Sequence, residues 1–393
     1  MTMTPPPAPA SPDSASPLPA FVLIAGATVF AAVFMWAETE VHVLGILAAG
    51  AAGAFAAHRL GLFAKAALTF ARQEALLDWG VVVGALVILV LFHEEHFPLL
   101  MVATVLLYLT ACLGLNIQFG YAGVVNFASA SFFGVGGYTA AVLARHTALP
   151  HPLVIVAGGV AAALIGLILV LPVLRTRGHY AAVITIAFAI LFRTFLEVND
   201  TLGGPQGLKL PALTVMGWNF NRNFEVFGIE LSFYVNYTLL ALGLAAFAFV
   251  VTRRLERSWI GLSMDAIRLD ETASACFGVH LARWKAAAFT LGNFMAGVAG
   301  AVYALMLGFI APSNFSFGDS LIMVSIILLG GIGNPWGVAV AAAIVVVLPE
   351  KLQMIQEYRF ILYAAMVILT LLFRPEGLLP RRLRVYLPGW SPK

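Results

Sequence analysis

Long apolar runs recur along the chain and alternate with short polar connections. A helix needs about 20 apolar residues to cross the hydrocarbon core of a bilayer, which is roughly 30 Å thick, and most of the runs are close to that length. The predicted spans are residues 20–36, 41–57, 79–92, 97–117, 120–143, 151–173, 178–196, 231–251, 286–310 and 358–373. This pattern predicts an all-α fold, a polytopic transmembrane helical bundle of about ten spans.

A further apolar segment, residues 320–348, is interrupted by the sequence GGIGNPWG. Glycine and proline interrupt helices, and asparagine favours turns. The predicted helix break consists of Gly330, Gly331, Gly333, Asn334 and Pro335. The segment is either a re-entrant pair of short helices or two full spans. Irregular backbone at membrane depth has to be surrounded by protein or by a watery cavity, so we expect the break to lie inside the protein.

Composition supports a membrane location. Of the 393 residues, 61% are hydrophobic and 10% are charged, and the mean hydropathy is +0.94, far above the range of a soluble domain. The formal net charge of +3 is too small to indicate nucleic-acid binding. The two cysteines indicate neither a disulfide framework nor a metal cluster. His93 and His96 lie three residues apart, which is not the spacing of the H-E-x-x-H zinc motif, and we predict no metal site.

The basic residues are distributed unevenly about the predicted spans. If the N-terminus is cytoplasmic, 16 of the 22 Lys and Arg residues fall on the cytoplasmic side, as the positive-inside rule requires. Both termini are then cytoplasmic. Residues 252–285 form a cytoplasmic loop in this topology, and residues 197–230 form an external loop.

Groups that bind a driving ion or a nucleotide are scarce. Between residues 98 and 173 the only charged or histidine residues are Arg145, His146 and His151, which all lie in a connection. Many ion-coupled transporters keep such groups within the bilayer. Backbone carbonyls also bind Na⁺, so a self-sufficient ion-coupled secondary transporter stays open as an alternative. None of the Lys residues follows a Gly, so the phosphate-binding loop of ATPases is absent from the sequence.

Neutral polar residues do occur within the predicted spans. Glycines in the segment 114–140 permit close helix approach or a break in the helix, and nearby amides and hydroxyls offer hydrogen bonds. The candidate translocation-path residues are Asn116, Gln118, Asn126, Ser129, Ser131, Tyr138, Thr139 and Asn293. They either make ordinary contacts between helices or line a passage for a small polar or zwitterionic solute.

A short polar island at 264–278 stands out in the apolar chain. Its residues give an incomplete apolar stripe at helical spacing, and Gly278 is well placed to end a helix because glycine adopts the left-handed conformation without penalty. We therefore predict one short surface helix, a glycine turn, and a second helix that leads into the next span. A compact helix of this kind suits a lever that a partner protein grips, whereas a solvated connector is the simpler interpretation.

The predicted external loop contains the turn-forming sequence TLGGPQGL at 201–208. Its turn-forming residues are Gly203, Gly204, Pro205, Gln206 and Gly207. Glycine and proline at this density predict a compact fold at the outer surface.

Five ordered blocks of the chain resemble one family. They are GLNIQFGYAGVVNFASASFFGVGGYTAAVL at 114–143, RTRGHYAAVITIAFA at 175–189, NDTLGGPQGL at 199–208, the block from IGLSMDAIRLDETASACFG through LGNFMAGVAGAVYA at 260–304, and FSFGDSLIMVSIILLGGIGNPWGVAVAAAIVVVLPE at 315–350. Together they resemble the LivM-type permease, the membrane subunit of branched-chain amino acid ABC importers. The resemblance covers roughly residues 97–378.

This resemblance implies a fold, a set of partners and a site. The partners are a LivH-type permease subunit, two cytoplasmic ABC ATPase subunits and an external (periplasmic) solute-binding protein, in a bacterial cytoplasmic (inner) membrane surrounded by lipid. No cofactor belongs to this chain, since ATP and Mg are held by the ATPase subunits, and the chain is a transport subunit rather than an enzyme. In such permeases a cytoplasmic loop docks into the ATPase. The residues predicted to couple to the ATPase are Arg268, Asp270, Glu271, Ala273, Ala275, Phe277 and Gly278.

Composition and the resemblance together divide the chain, since residues 1–19 are rich in Pro, Ala and Ser. The predicted parts are a disordered cytoplasmic tail at 1–19, an N-terminal two-span extension and connector at 20–78, a permease core at 79–378 and a basic cytoplasmic tail at 379–393. The expected substrates are leucine, isoleucine and valine. Permeases for urea or short amides are similar in sequence, so an importer for those solutes is the nearest alternative.

Overall fold

A computed structural model describes residues 18–37, 39–59, 74–176, 179–215, 217–226, 229–352 and 358–381. These residues are mostly helical, as the hydrophobic pattern predicts. They form two compact units that divide between His93 and Glu94. Residues 1–17 of the predicted tail, 60–73 of the predicted connector and 382–393 of the predicted basic tail lie outside the described residues.

The first unit contains three helices: α1 (Leu18–Trp36), α2 (Glu40–Arg59) and α3 (Glu74–Leu91). Glycines allow α3 to pack closely on α1. A β-carbon added at Gly80 would lie 2.6 Å from Ile24, and one added at Gly84 would lie 2.7 Å from Thr28. Small residues that bring backbones together are typical of helix contacts in membranes.

The second unit begins with α4 (His96–Asn116), which continues into a π-helical turn at Ile117–Tyr121. The helices that follow are α5 (Ser129–His146), α6 (His151–Arg175), α7 (His179–Val198), α8 (Tyr234–Glu256), α9 (Trp259–Leu269), α10 (Glu271–Cys276), α11 (Leu281–Leu307), α12 (Phe317–Gly330), α13 (Pro335–Lys351) and α14 (Arg359–Phe373). Short 3₁₀ turns occupy Asp200–Leu202, Gly204–Gln206 and Pro312–Phe315.

The structure contains short strands that the all-α prediction did not include. Antiparallel pairs join β1 (Leu208–Lys209) to β6 (Phe309–Ile310), β2 (Thr214–Val215) to β3 (Trp218–Asn219), and β4 (Phe224–Val226) to β5 (Ile229–Leu231). Most of them lie in the 197–230 connection, where the predicted turns of the TLGGPQGL sequence bring the chain back on itself.

Helix α11 forms the centre of the second unit, and α4, α5 and α6 pack around it. Glycines make this possible. A β-carbon at Gly300 would collide with the carbonyl of Phe133 on α5, and one at Gly136 would collide with the carbonyl of Gly297. A third close contact joins Gly114 on α4 to Gly292. Backbone therefore meets backbone along the length of α11.

Within the described residues, six helical segments are long and apolar enough to span a membrane. They are His96–Tyr121, His151–Arg175, Tyr180–Val198, Tyr234–Glu256, Leu281–Leu307 and Pro312–Gly330. Four shorter apolar helices lie at 21–36, 41–50, 79–91 and 361–370. These segments establish a helical protein that crosses a membrane several times, and the count of about ten spans stays a prediction.

The predicted span 120–143 is wrong in its first part. The π-helical turn ends at Tyr121, and α5 begins only at Ser129. Between them Gly123 has a φ of 65°, and the Asn126 side chain accepts a hydrogen bond from the backbone N–H of Ala128 at 2.9 Å. Side chains that bond to neighbouring backbone in this way compete with helix formation.

Segment 320–348 forms two helices with the break where the sequence places it. Helix α12 ends at Gly330 and α13 begins at Pro335. At a rise of about 1.5 Å per residue their lengths are roughly 21 and 26 Å. The choice between two spans and a re-entrant pair stays a prediction.

Candidate transport path and coupling surface

A cluster of side-chain amides lies in the interior of the second unit. It consists of Gln118 from the π-helical turn, Asn126 from the non-helical segment and Asn293 from α11, each at most 1% exposed. Asn126 Nδ2 donates to Gln118 Oε1 at 2.8 Å and to Asn293 Oδ1 at 3.2 Å. Gln118 Nε2 donates to Asn293 Oδ1 at 3.1 Å. We call these three residues the amide cluster.

Local breaks in helix geometry bring the amide cluster together. The π-helical turn adds a residue to the turn at the end of α4, and such turns are frequent at functional sites. The irregular segment that follows then places Asn126 opposite Gln118. On the far side, Gly166 of α6 makes room for Asn293, since a β-carbon there would lie 2.5 Å from Nδ2.

Three predicted path residues on α5 carry buried hydroxyls. Ser129, Ser131 and Tyr138 are at most 4% exposed, and among the described residues none of the three hydroxyls has a hydrogen-bond partner. A buried polar group without a partner costs about 1–3 kcal/mol, so such groups are usually retained for a reason other than stability. These hydroxyls are therefore candidates for contact with a passing solute.

The first turn of α5 is held by side chains from other helices. Thr185 Oγ1 of α7 accepts from the N–H of Phe127, and Ser320 Oγ of α12 accepts from the N–H of Ala130, both at 3.1 Å. Helix α5 thus begins inside the protein, and hydroxyls accept from one backbone N–H just before it and from one in its first turn.

The two remaining path residues have other surroundings. Asn116 Oδ1 accepts from the backbone N–H of Gly333 at 2.8 Å, so Asn116 ties the end of α4 to the helix break. Thr139 on α5 is partly exposed. The structure therefore brings three of the eight predicted path residues into the amide cluster and places three more on α5 as buried hydroxyls.

The helix break is fixed by backbone conformation and by caps. Gly331 and Gly333 have φ values of 109° and 87°, which favour glycine. Asn334 Oδ1 accepts from the N–H of Trp336, and Asn334 Nδ2 donates to the carbonyl of Leu379. Gly330 lies against Gly337, so the two helices meet without side chains between them.

The polar island at 264–278 forms two helices, which corrects the prediction of one. Asp270 separates α9 from α10, and its side chain accepts from the N–H of Ala273 at 2.9 Å, which caps α10. Aspartate favours the cap of a new helix over the interior of an old one. Gly278 has a φ of 80° and ends the pair, as predicted.

The break at Asp270 divides the predicted apolar stripe. Met264 and Ile267 of α9 are buried, whereas Phe277 is 88% exposed. Leu269, at the end of α9, is also exposed. Helix α9 therefore packs on the protein, and α10 with Phe277 presents an apolar surface outward. We call α9, α10 and the turn through Gly278 the coupling helices.

Specific contacts anchor the coupling helices to the start of α11. Glu271 forms an ion pair with Lys285 at 2.6 Å, and Trp259 packs edge-to-face on Trp284. Arg268 lies half-buried beside Gly123. Of the other predicted coupling residues, Ala273, Ala275 and Gly278 are exposed beside Phe277.

An arginine that the sequence had marked only as part of a basic tail lies next to the coupling helices. Arg381 donates to Asp265 through Nη1 at 2.6 Å and Nη2 at 2.8 Å, and its guanidinium lies 4.3 Å from the ring centroid of Tyr121. Burial alone lowers the pKa of Arg381, but the hydrogen bonds and charge of Asp265 more than offset this, so its pKa is raised above the ordinary value. The guanidinium is thus charged at any physiological pH.

The 197–230 connection folds compactly, as its turn-forming residues predict. Gly203, Gly204 and Gly207 all have positive φ values. Pro205 and Gln206 lie in the 3₁₀ turn between them. A β-carbon on Gly207 would collide with the carbonyl of Ile310, so this glycine allows β1 to pair with β6 after α11.

Apolar helices long enough to cross a membrane, with neutral polar groups buried among them, are consistent with a helical membrane permease. Residues 97–371 match the family model of the branched-chain amino acid transport system permease component. The chain belongs to this family.

Individual relatives agree with the family match. The chain is 33% identical over 289 residues to the high-affinity branched-chain amino acid transport system permease protein LivM of Escherichia coli strain K12, covering 70% of this chain and 68% of the relative. LivM of Salmonella typhimurium matches equally well. The LivH permease of E. coli strain K12 is 24% identical over 289 residues, covering 70% of this chain and 91% of LivH. No solved structure matches the chain.

Proposed function

We propose that this chain is the membrane-spanning permease subunit of an ATP-driven (ABC) importer for branched-chain amino acids. The observation that carries the proposal is the 33% identity to LivM permeases over 289 residues. The family match at residues 97–371 includes the amide cluster and the coupling helices. The sources of energy and of selectivity are then other subunits: two ATPases on the cytoplasmic side, and an external solute-binding protein.

The amide cluster and the α5 hydroxyls are the proposed path. Neutral amides and hydroxyls can hydrogen-bond both the carboxylate and the ammonium group of an amino acid zwitterion without holding either tightly. Conduction requires binding that is favourable enough for entry and weak enough for release. The apolar surroundings of the path suit the side chains of leucine, isoleucine and valine.

The coupling helices are the proposed contact with the ATPase. The exposed Phe277 offers an apolar side chain that the ATPase can bury. The charged residues near it orient the contact between the two proteins. A partner shifts an equilibrium between two conformations only if it binds them with unequal affinity. We infer that the ATP-bound ATPases favour the arrangement of the coupling helices that belongs to one access state. ATP and Mg bind to the partners in this scheme, and the chain itself catalyses no bond chemistry.

The proposed assembly pairs this chain with a LivH-type permease in the bacterial inner membrane. The similarity of the chain to LivH supports this pairing, because related chains readily pair about a pseudo-twofold axis. The distribution of Lys and Arg supports cytoplasmic termini.

Uptake of labelled leucine into proteoliposomes tests the proposal. The full assembly with ATP and loaded binding protein is expected to accumulate leucine, and excess isoleucine or valine to compete, whereas the chain alone is expected to transport nothing. Leucine uptake by the chain alone, driven by an ion gradient, would contradict the proposal. Competition by urea but not by valine would replace the substrate with a short amide.

A further inference from the structure

Arg381 joins parts of the second unit that are far apart in sequence. Its guanidinium binds the carboxylate of Asp265 on α9, donates to the carbonyl of Gly120 in the π-helical turn at 3.3 Å, and stacks on Tyr121. It also lies 3.6 Å from the carboxylate of Glu256 at the end of α8. We call Arg381, Asp265, Gly120 and Tyr121 the arginine junction.

The arginine junction is largely shielded from water, although it includes a residue of the coupling helices. The side chains of Arg381 and Asp265 are 8% and 15% exposed. Asp265 also lies 3.9 Å from Arg268, but its contacts with Arg381 are the shortest that either residue makes. Removal of Arg381 or Asp265 therefore leaves the other with only a longer ion pair in a medium of low dielectric constant. The bidentate geometry further fixes the direction of approach. The position of α9 is therefore tied closely to that of Arg381.

The helix break is also in contact with Arg381. A β-carbon at Gly333 would lie 2.6 Å from Cδ of Arg381, and the backbone of Gly333 donates to Asn116 at the end of α4. The residues just before Arg381 are bonded to the break as well, since the N–H of Leu379 donates to the carbonyl of Gly330 at 3.1 Å. The arginine is thus held by the break on one side and by α9 on the other.

A short path leads from the junction to the amide cluster. Gln118 lies in the same π-helical turn as Gly120 and Tyr121, so a displacement of that turn displaces an amide of the proposed path. The contacts of the coupling helices with the start of α11 provide a second connection, but they reach the end of a long helix and not the turn itself.

We propose that Arg381 is a positioning residue of the transport cycle: through Asp265 it transmits the displacement of α9 to the π-helical turn and so to Gln118. The proposal rests on the proposed function, because it needs an ATPase that moves the coupling helices. It goes beyond the family match, which ends at residue 371. It also assigns a role to Asp265, which does not belong to the exposed surface of α10.

The test compares uptake with ATP hydrolysis in the reconstituted assembly. Arg381→Met and Asp265→Asn are expected to lower the leucine taken up per ATP hydrolysed at least tenfold, while the assembly continues to hydrolyse ATP. Arg381→Lys keeps the charge but loses the bidentate pairing, and an intermediate ratio is expected. Arg193→Met is the matched control, since it removes an exposed arginine that pairs with Glu197 at 2.8 Å.

The double variant Asp265→Asn/Arg381→Gln guards against loss of folding. It replaces both charges by neutral amides, which buried sites tolerate better than a single unpaired charge. Uptake per ATP in this variant is expected to be as low as in the single variants, because the fixed link is lost in all of them.

The outcomes separate this inference from the proposed function. A ratio equal to that of the wild type in the folded variants would overturn the role of Arg381 and leave the importer in place. If assembly, ATP hydrolysis and uptake all fall together while uptake per ATP stays constant, Arg381 has a structural role only, and the proposed positioning role is overturned. Absence of ATP-driven uptake by the wild-type assembly would overturn both.

Discussion

Ser129, Ser131 and Tyr138 give the interior of the protein three hydroxyls that no described residue satisfies. In contrast, the hydroxyl of Ser325, which is equally buried on α12, donates to the carbonyl of Leu321 at 2.7 Å. Membrane proteins commonly satisfy serine in this second way, within its own helix. This difference between the two serine environments is the reason to test Ser129 and Ser131 for a role in transport.

Substitution of Ser129 and Ser131 by alanine tests that difference. Removal of a buried hydroxyl without a partner is expected to leave thermal stability unchanged or to raise it slightly, because a desolvation cost of about 1–3 kcal/mol is removed. If the hydroxyls touch the solute, ATP-driven leucine uptake falls several-fold in the same variant.

Ser325→Ala is the control for this experiment. It removes a hydroxyl that is bonded within its helix, so uptake is expected to stay at the wild-type level. Unchanged uptake in the Ser129→Ala/Ser131→Ala variant would return those residues to ordinary packing.

Single residues were the hardest features to predict. The amides of Gln118, Asn126 and Asn293 were identifiable because polar groups are rare in apolar runs, but the sequence does not show that they bond to each other. Arg381 was indistinguishable from the other basic residues of the tail, since its burial depends on a carboxylate 116 positions earlier. Long-range pairing of this kind leaves no local pattern.

At the scale of elements, irregular backbone is concentrated where the chain has a proposed role. The π-helical turn holds Gln118, the break between α12 and α13 holds Gly333, and the Asp270 break creates the exposed α10. The last two are set by local residue preferences, glycine at positive φ and aspartate at a helix cap. Hydrophobic pattern predicted most of the helices. The break at Asp270 was missed because apolar residues keep an incomplete helical spacing across it, and residues 122–128 were missed because apolar residues continue through them.

Gly278 provides a test of the coupling helices as an element. Gly278→Val introduces backbone strain of about 1–3 kcal/mol at a position with a φ of 80°, and no heavy atom lies within 4 Å to clash with the new side chain. The strain is expected to disturb the turn after α10, so that ATPase binding and uptake are both lost while the protein stays in the membrane.

Gly217→Val is the matched control, because Gly217 also has a positive φ, 86°, and open space around it. It lies in the 197–230 connection, so ATPase co-purification is expected to stay normal. If Gly278→Val keeps both ATPase binding and uptake, the docking role of this turn is wrong.

At the scale of the whole molecule, the second unit combines a glycine-packed core with a rigid connection to one surface. Backbones meet along α11, and interiors packed this closely shift between discrete arrangements rather than deform continuously. The arginine junction contacts both the helix break and the π-helical turn, and that turn carries Gln118 of the amide cluster. A push on the coupling helices is therefore expected to reach the path through a few defined contacts. The class was predictable from hydropathy, whereas this connectivity required the structure.

The central claim is that partner ATPases move this chain from the cytoplasmic side through the coupling helices. The natural cysteines allow a direct measurement, because Cys276 at the end of α10 is exposed and Cys112 is buried. A thiol-directed crosslinker applied to the assembled complex is expected to join Cys276 to an ATPase subunit, with a yield that changes on ATP binding and that Cys276→Ser abolishes. Absence of this crosslink in every nucleotide state, or modification of Cys276 by a membrane-impermeant maleimide added outside intact cells, would contradict the claim.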